Sequence, residues 1–334
     1  MILSTFRGIV NSGIFRNRPL VQRIVLSQIA FCGRAMRIPA RHTMHDCRAL
    51  RDGRKCNVSP PTFRMQYATG WYGGKNKQII EESQMKCILL AAGYATRLYP
   101  LTVDKPKSLL EVGGITILEH ILRKVEKVES IDTVYIVTND KFYGQFSNWV
   151  ASYQCPGTIK VLNDHTCSND DRLGAVADIR FVLDAEKVDD DVLVMAGDNL
   201  FEFDLRDFVA FYRQVGHDCI STHVLNDVNE LRRTGVADLD KDSRVLSFKE
   251  KPKEPRTRYA VPPFYIYQKS TLRLIGQYLD EGNNPDAPGN FIPWLITKKD
   301  VYAFKFKGMR FDIGTVESYD RVRKLYKGQS MAHS

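Results

Sequence analysis

The sequence predicts an α/β fold, a mostly parallel sheet covered on both faces by helices and carrying an antiparallel insertion. Three observations support this expectation. From Met85 onward, short apolar runs alternate with segments of helical period, the pattern of parallel strands joined by crossover helices. The first apolar run feeds a loop of small residues, and parallel sheets place their ligand loops at the carboxyl ends of strands. From about residue 218 the rhythm changes to short β pieces bounded by turn residues.

Residues 87–90 are four apolar residues in succession and read as a buried strand. Ile117, Leu118, Ile121, Leu122, Val125 and Val128 recur at helical spacing. An extended segment at 133–138 follows, then a helix near 143–153, a strand at 158–162, a helix at 175–184, a strand at 192–195 and a helix at 205–215. The antiparallel pieces are 236–239, 245–249 and 261–267. No internal repeat is visible, and no hexapeptide repeat follows the domain.

The net charge of +9 is unevenly spread, because residues 1–84 hold fourteen Lys/Arg against four Asp/Glu. The remaining 250 residues carry thirty-four basic and thirty-five acidic side chains, a balance that argues against a nucleic-acid partner. Seven cysteines with no C-x-x-C pair argue for a reducing compartment and against a disulfide framework or zinc site. No apolar run approaches the roughly 20 residues that cross a bilayer, so no membrane partner is expected. Residues 1–45 contain seven Arg and no acidic residue. They read either as an organelle transit peptide or as a dispensable extension upstream of a start at Met85. Thin serine content favours the second. The expected organisation is a disordered basic leader over 1–84, one folded domain over 85–327 and a short tail over 328–334. The expected location is the cytoplasm, or an organelle matrix if the leader is a transit peptide.

Residues 89–111 are the most informative stretch. The strand runs into Leu90, Ala91, Ala92 and Gly93, where the backbone can turn tightly and approach a ligand. Arg97 and Lys107 follow, with Pro100 and Pro106 stiffening the chain between them. Backbone N–H groups with spaced cations suit a polyphosphate. The text is neither G-x-G-x-x-G nor G-x-x-x-x-G-K-[ST]. A second strand delivers Gly197, Asp198 and Asn199 to its carboxyl end. A carboxylate there, opposite a phosphate cradle, suits Mg²⁺, although Asp198 could equally cap the helix that follows.

The 89–111 segment resembles the signature of the sugar-phosphate nucleotidyltransferases, L-A-A-G-x-x-[ST]-R-L-x-P-L-T-x-x-x-P-K-x-L-L. It departs at Ala95, where many members carry Gly. The resemblance extends over about 85–327. It implies a three-layer Rossmann-like fold of GT-A type and a Mg²⁺-dependent reaction that joins an NTP to a sugar 1-phosphate and releases pyrophosphate. It also implies that Leu90, Ala91, Ala92 and Gly93 hold the nucleotide. Arg97 would then meet the departing pyrophosphate and Lys107 the α-phosphate. Asp198 resembles the family's first metal ligand. Asp312, in residues 309–322, resembles its second, or else caps the next helix; Arg310 stands where the family often has Trp. Glu250-Lys251-Pro252 is similar to the family's E-K-P, in which Lys holds the acceptor's phosphate and Glu a sugar hydroxyl. Gly235 belongs to the same pocket, with Thr234 for the usual Tyr and Pro262-Pro263 for the usual Thr-Gly or Ala-Gly. Gly174, in text similar to L-G-T-A, would let the base approach the backbone. Asn163, Asp164 and Asn169 upstream serve either base edges or turns.

The implied partners are an NTP and a phosphorylated small molecule, with self-association left open. A sugar 1-phosphate is already an anionic nucleophile, so the difficulty is electrostatic and no nucleophilic side chain is needed. Two alternatives stay open. One is a nucleotidyltransferase for a non-sugar phosphate such as phosphocholine, since the text from Asp164 onward departs from the usual sugar enzymes. The other is a non-catalytic regulatory relative, against which Arg97, Lys107, Asp198, Lys251 and Asp312 all speak.

Overall fold

β1 (Met85–Leu90) lies between β4 (Ile131–Thr138) and β6 (Asp191–Ala196), parallel to both, in a computed structural model that describes residues 84–326. The expected leader, except for Gln84, and the expected tail lie outside the described residues. β5 (Thr158–Asn163) extends the parallel set beyond β4. The alternation of side chains along β1 divides the core in two. Cys87 and Leu89 join one buried cluster and Ile88 joins the other.

The first cluster collects the apolar faces of α1 (Ile117–Val125), α2 (Asp140–Ser152), α4 (Leu205–Val215) and α8 (Val316–Leu325). The second collects those of α3 (Ala175–Glu186), α6 (Lys269–Asp280) and α7 (Phe291–Leu295), while α5 (Val228–Leu231) gives Leu231 to a small third cluster. The result is the three-layer arrangement expected from the alternating order. Helix starts are set locally. Thr116 accepts from the Glu119 N–H, Asn139 from Phe142, Asp204 from Arg206 and Thr315 from Ser318. Among the described residues, no helix is long and apolar enough to cross a membrane.

Beyond β6 the sheet continues through β12 (Phe264–Tyr267), antiparallel to β6, and then β8 (Asp218–Val224). β13 (Val301–Lys305) pairs parallel to β8. The antiparallel insertion is β11 (Tyr259–Val261), β9 (Gly235–Leu239) and β10 (Val245–Lys249), and it is continuous with the central sheet. Here the structure corrects one expected element. Residues 261–267 are two strands divided at Pro262-Pro263, which lack N–H donors, so the ladder breaks there. β11 pairs with the insertion, whereas β12 enters the central sheet. Two short two-stranded ribbons lie outside the main sheet. β2 (Glu111–Val112) pairs with β3 (Ile115–Thr116), and β7 (Asn199–Phe201) pairs antiparallel with β14 (Arg310–Asp312).

Candidate active site

The loop after β1 is anchored from below. Ala91 N–H donates to Val137 O at 2.9 Å, and Asn139 Nδ2 donates to Ala92 O at 2.8 Å. Asn139 thus ties the loop to the start of α2, which its own Oδ1 caps. From Ala92 to Arg97, the backbone N–H groups donate to no acceptor among the described residues. Consecutive unspent donors at the carboxyl end of a central strand are available to a ligand's oxygens. Gly93 is exposed, with open space where a Cβ would sit.

Ala95 adopts φ 50°, ψ 39°, the left-handed region. This is the position where the resemblance leads one to expect Gly, and an Ala there carries about 1 kcal/mol of strain. Ala95→Gly is therefore expected to be neutral or to raise stability by up to about 1 kcal/mol, read as the midpoint of urea unfolding.

Gly197 brings the second loop against the first. Its N–H donates to Leu90 O at 2.9 Å, and an added Cβ would meet Ser108 Oγ at 3.1 Å and Leu90 O at 3.2 Å. That approach lets Lys107 Nζ, 12% exposed, donate to Asp198 Oδ2 at 2.7 Å. Asn199 Nδ2 donates to Asp198 Oδ1 at 2.6 Å, and Arg310 Nε donates to Asn199 Oδ1 at 2.8 Å. Across the β7–β14 pair, Asp312 lies opposite Asn199, and Arg310 Nη2 is 3.4 Å from Asp312 Oδ2. Burial works to raise the Asp198 carboxyl, but the Lys107 charge and hydrogen bond, the Asn199 bond and the Arg310 charge outweigh it and hold it low. Neither carboxylate provides the helix cap considered above. β7 follows Asp198 directly, and Thr315 caps α8.

Glu250 sits between two glycines. A Cβ on Gly235 would meet Phe248 Cζ at 2.5 Å and Glu250 Oε2 at 3.2 Å, and one on Gly289 would strike the same carboxylate. Burial raises the Glu250 carboxyl, against the charges of Lys251 and Arg310. Lys251 is strained at φ 45°, 61% exposed, with Nζ 3.9 Å from Glu250 Oε1. Arg97 is exposed in a short turn and makes no ion pair among the described residues.

The structure thus draws Lys107, Asp198 and Asp312 into one network, and Glu250 feels the charge of Arg310 in that network. Gly174 packs elsewhere, against the backbone of Pro285 and Asp286. Asn163, Asp164 and Asn169 make turn bonds to His165, Thr166 and Arg172. Sequence reasoning missed the linking role of Arg310 and the Gly289 wall. Arg310 had a signal, a cation in an aromatic's place beside Asp312; Gly289 had none.

Beside this region two carboxyls are buried together. Asp178 Oδ1 and Asp164 Oδ2 have no hydrogen-bond partner, and burial, with the Asp164 charge, pushes Asp178 up to about 8. A carboxyl raised in the fold keeps its proton where the unfolded chain loses it, so its contribution to stability falls as pH rises from about 4 to about 8. Asp178→Asn is expected to unfold at a higher temperature than wild type at pH 7.5, with the difference closing toward pH 4. Equal shifts at both pH values would refute this.

Residues 86–328 match the model of the nucleotidyl transferase family. The chain belongs to that family. Among nucleotidyl transferases, it is 28% identical over 242 residues to a protein of Sulfolobus acidocaldarius provisionally named a mannose-1-phosphate guanyltransferase, covering 71% of this chain and 62% of the relative. It is 27% identical over 262 residues to a glucose-1-phosphate adenylyltransferase of Fusobacterium nucleatum, covering 72% and 66%. The chain therefore spans less than two thirds of the length of these two relatives. A provisional glucose-1-phosphate thymidylyltransferase from Bacillus anthracis, solved with a sucrose, superposes with TM-score 0.61 at 24% identity, over 73% of this chain and 95% of that one. This likeness establishes the fold, in agreement with the Rossmann-like expectation.

Proposed function

We propose that the protein transfers a nucleoside monophosphate from an NTP to a sugar 1-phosphate, giving an NDP-sugar and pyrophosphate, with Mg²⁺ as its metal. The observation that carries this reading is the run of unspent N–H donors from Ala92 to Arg97 next to the Lys107–Asp198 pair. Related nucleotidyl transferases named for sugar 1-phosphate substrates support it.

Asp198 and Asp312 suit Mg²⁺, because the β7–β14 pair brings two hard oxygen donors to adjacent places. Among the described residues no group of three or more His, Cys, Asp or Glu could hold a metal, and Mg²⁺ usually takes only one or two protein carboxylates. When bound, the ion would polarise and neutralise the α-phosphate oxygens.

The chain's own residues do the rest. Loop donors orient the triphosphate, Lys107 meets the α-phosphate, and the exposed Arg97 meets the departing pyrophosphate. Lys251 and Glu250 hold the acceptor, Lys251 at its phosphate and Glu250 at a hydroxyl. No general base is required, since the attacking phosphate is already ionised. The test is pyrophosphate release by the full chain with Mg²⁺, four NTPs, a panel of sugar 1-phosphates and phosphocholine. Release with one NTP and one sugar 1-phosphate is expected. Release with phosphocholine alone, or with no pair at all, would sink the sugar reading.

A further inference from the structure

Arg310 is a largely buried guanidinium that the fold uses only in part. Its side chain is 10% exposed, yet Nε, bound to Asn199, is its only hydrogen-bonding atom among the described residues. Nη2 rests 3.4 Å from Asp312, which is itself 54% exposed, too long for a strong charge-assisted hydrogen bond. The Nη groups therefore keep N–H donors that no protein acceptor fully engages, donors that a ligand oxygen would meet.

Position says which ligand. Arg310 is bonded to Asn199, the neighbour of Asp198, and paired with Asp312, and its charge is felt at both Asp198 and Glu250. His223, also near Arg310, is pushed down to about 4 by burial and by that charge, so it is neutral and adds no competing cation. A phosphomonoester must enter beside a triphosphate, so a cation additional to Arg97, Lys107 and Lys251 would lower their mutual repulsion.

We propose that Arg310 is a binding residue for the acceptor's phosphate, receiving two of its oxygens on the Nη groups and bringing it in line with the nucleotide. The inference deepens the nucleotidyltransferase reading and rests on it. A planar fork fits phosphate oxygens in pairs, which the point charge of a lysine does not. Asp312 and Asn199 act as a rest position that fixes the fork before the acceptor arrives.

The test uses full-length wild type, Arg310→Gln and Arg310→Lys, titrated with inorganic phosphate by calorimetry. In parallel, pyrophosphate release is followed against acceptor concentration at saturating NTP. Arg310→Gln is expected to weaken phosphate at least tenfold and to raise the acceptor KM by a similar factor, with the NTP KM within twofold. Arg310→Lys should recover part of the loss, and it stands in if Arg310→Gln folds poorly. A purely structural role would instead lower the unfolding midpoint and move both KM values together. Phosphate bound equally by wild type and variants, or not bound by wild type, overturns the assignment. The two readings fail separately, because the phosphate titration decides Arg310 even if no NTP–acceptor pair releases pyrophosphate.

Discussion

Asp198→Asn is expected to lower pyrophosphate release by at least about a hundredfold, the cost of about 3 kcal/mol that follows loss of one preorganised charged group. Asn keeps the size of the side chain and an acceptor for Lys107 Nζ, now 2.7 Å from Asp198 Oδ2, so the two loops should stay together. The variant loses the negative charge that would hold the divalent ion and now engages Lys107. NTP itself should bind as tightly as to wild type or more so, because a carboxylate no longer faces the phosphates. A fall in kcat with unchanged or improved nucleotide binding separates this from simple misfolding. The same substitution has a pH signature. Asp198 is held below its ordinary value of 3.8, so the pair contributes stability above that pH and loses it as pH falls through the folded value. Acid unfolding of Asp198→Asn should lack that component. Wild-type turnover in the variant would remove Asp198 from the mechanism.

The parts of this site that could be read from the sequence share a physical reason. β1 and β6 are central strands buried on both faces, so each is a nearly continuous apolar run. The residues that leave those runs, Ala91 to Gly93 and Gly197 to Asn199, had to lie at strand ends in a parallel sheet. What could not be read depends on pairing between distant segments. Arg310 meets Asn199 because β14 pairs with β7, a register that no local period encodes. β12 reads like any short apolar strand, and nothing in its four residues says that it runs against β6. α6 was missed although its helical face is well formed, because the short β rhythm before it set the expectation for that half of the chain. Lys251 showed its charge in the sequence but not its left-handed backbone, which only the turn after β10 imposes.

Gly174→Ala should be a strongly destabilising single-methyl change. Gly174 has φ 94° and ψ 153°, a region open essentially to glycine alone, and an alanine forced to stay there carries about 1–3 kcal/mol of strain. The added Cβ would also sit 2.8 Å from Pro285 C and O and 3.0 Å from Asp286 N, all backbone atoms that cannot rotate away. Moving that segment has its own cost. Val176 N–H donates to Pro285 O at 2.9 Å and Ala175 N–H to Asp286 O at 3.4 Å, and these bonds satisfy the first donors of α3 in place of a side-chain cap. Strain and lost end bonds together should reach about 3–5 kcal/mol, a large part of the stability of an ordinary domain. Because α3 packs against β1 and β4, the damage should spread into the core rather than stay in a loop. Urea unfolding read by tryptophan fluorescence gives the number. A loss below about 1 kcal/mol would mean that the 285–286 segment yields freely, and that Gly174 is needed for a ligand's approach more than for the chain's.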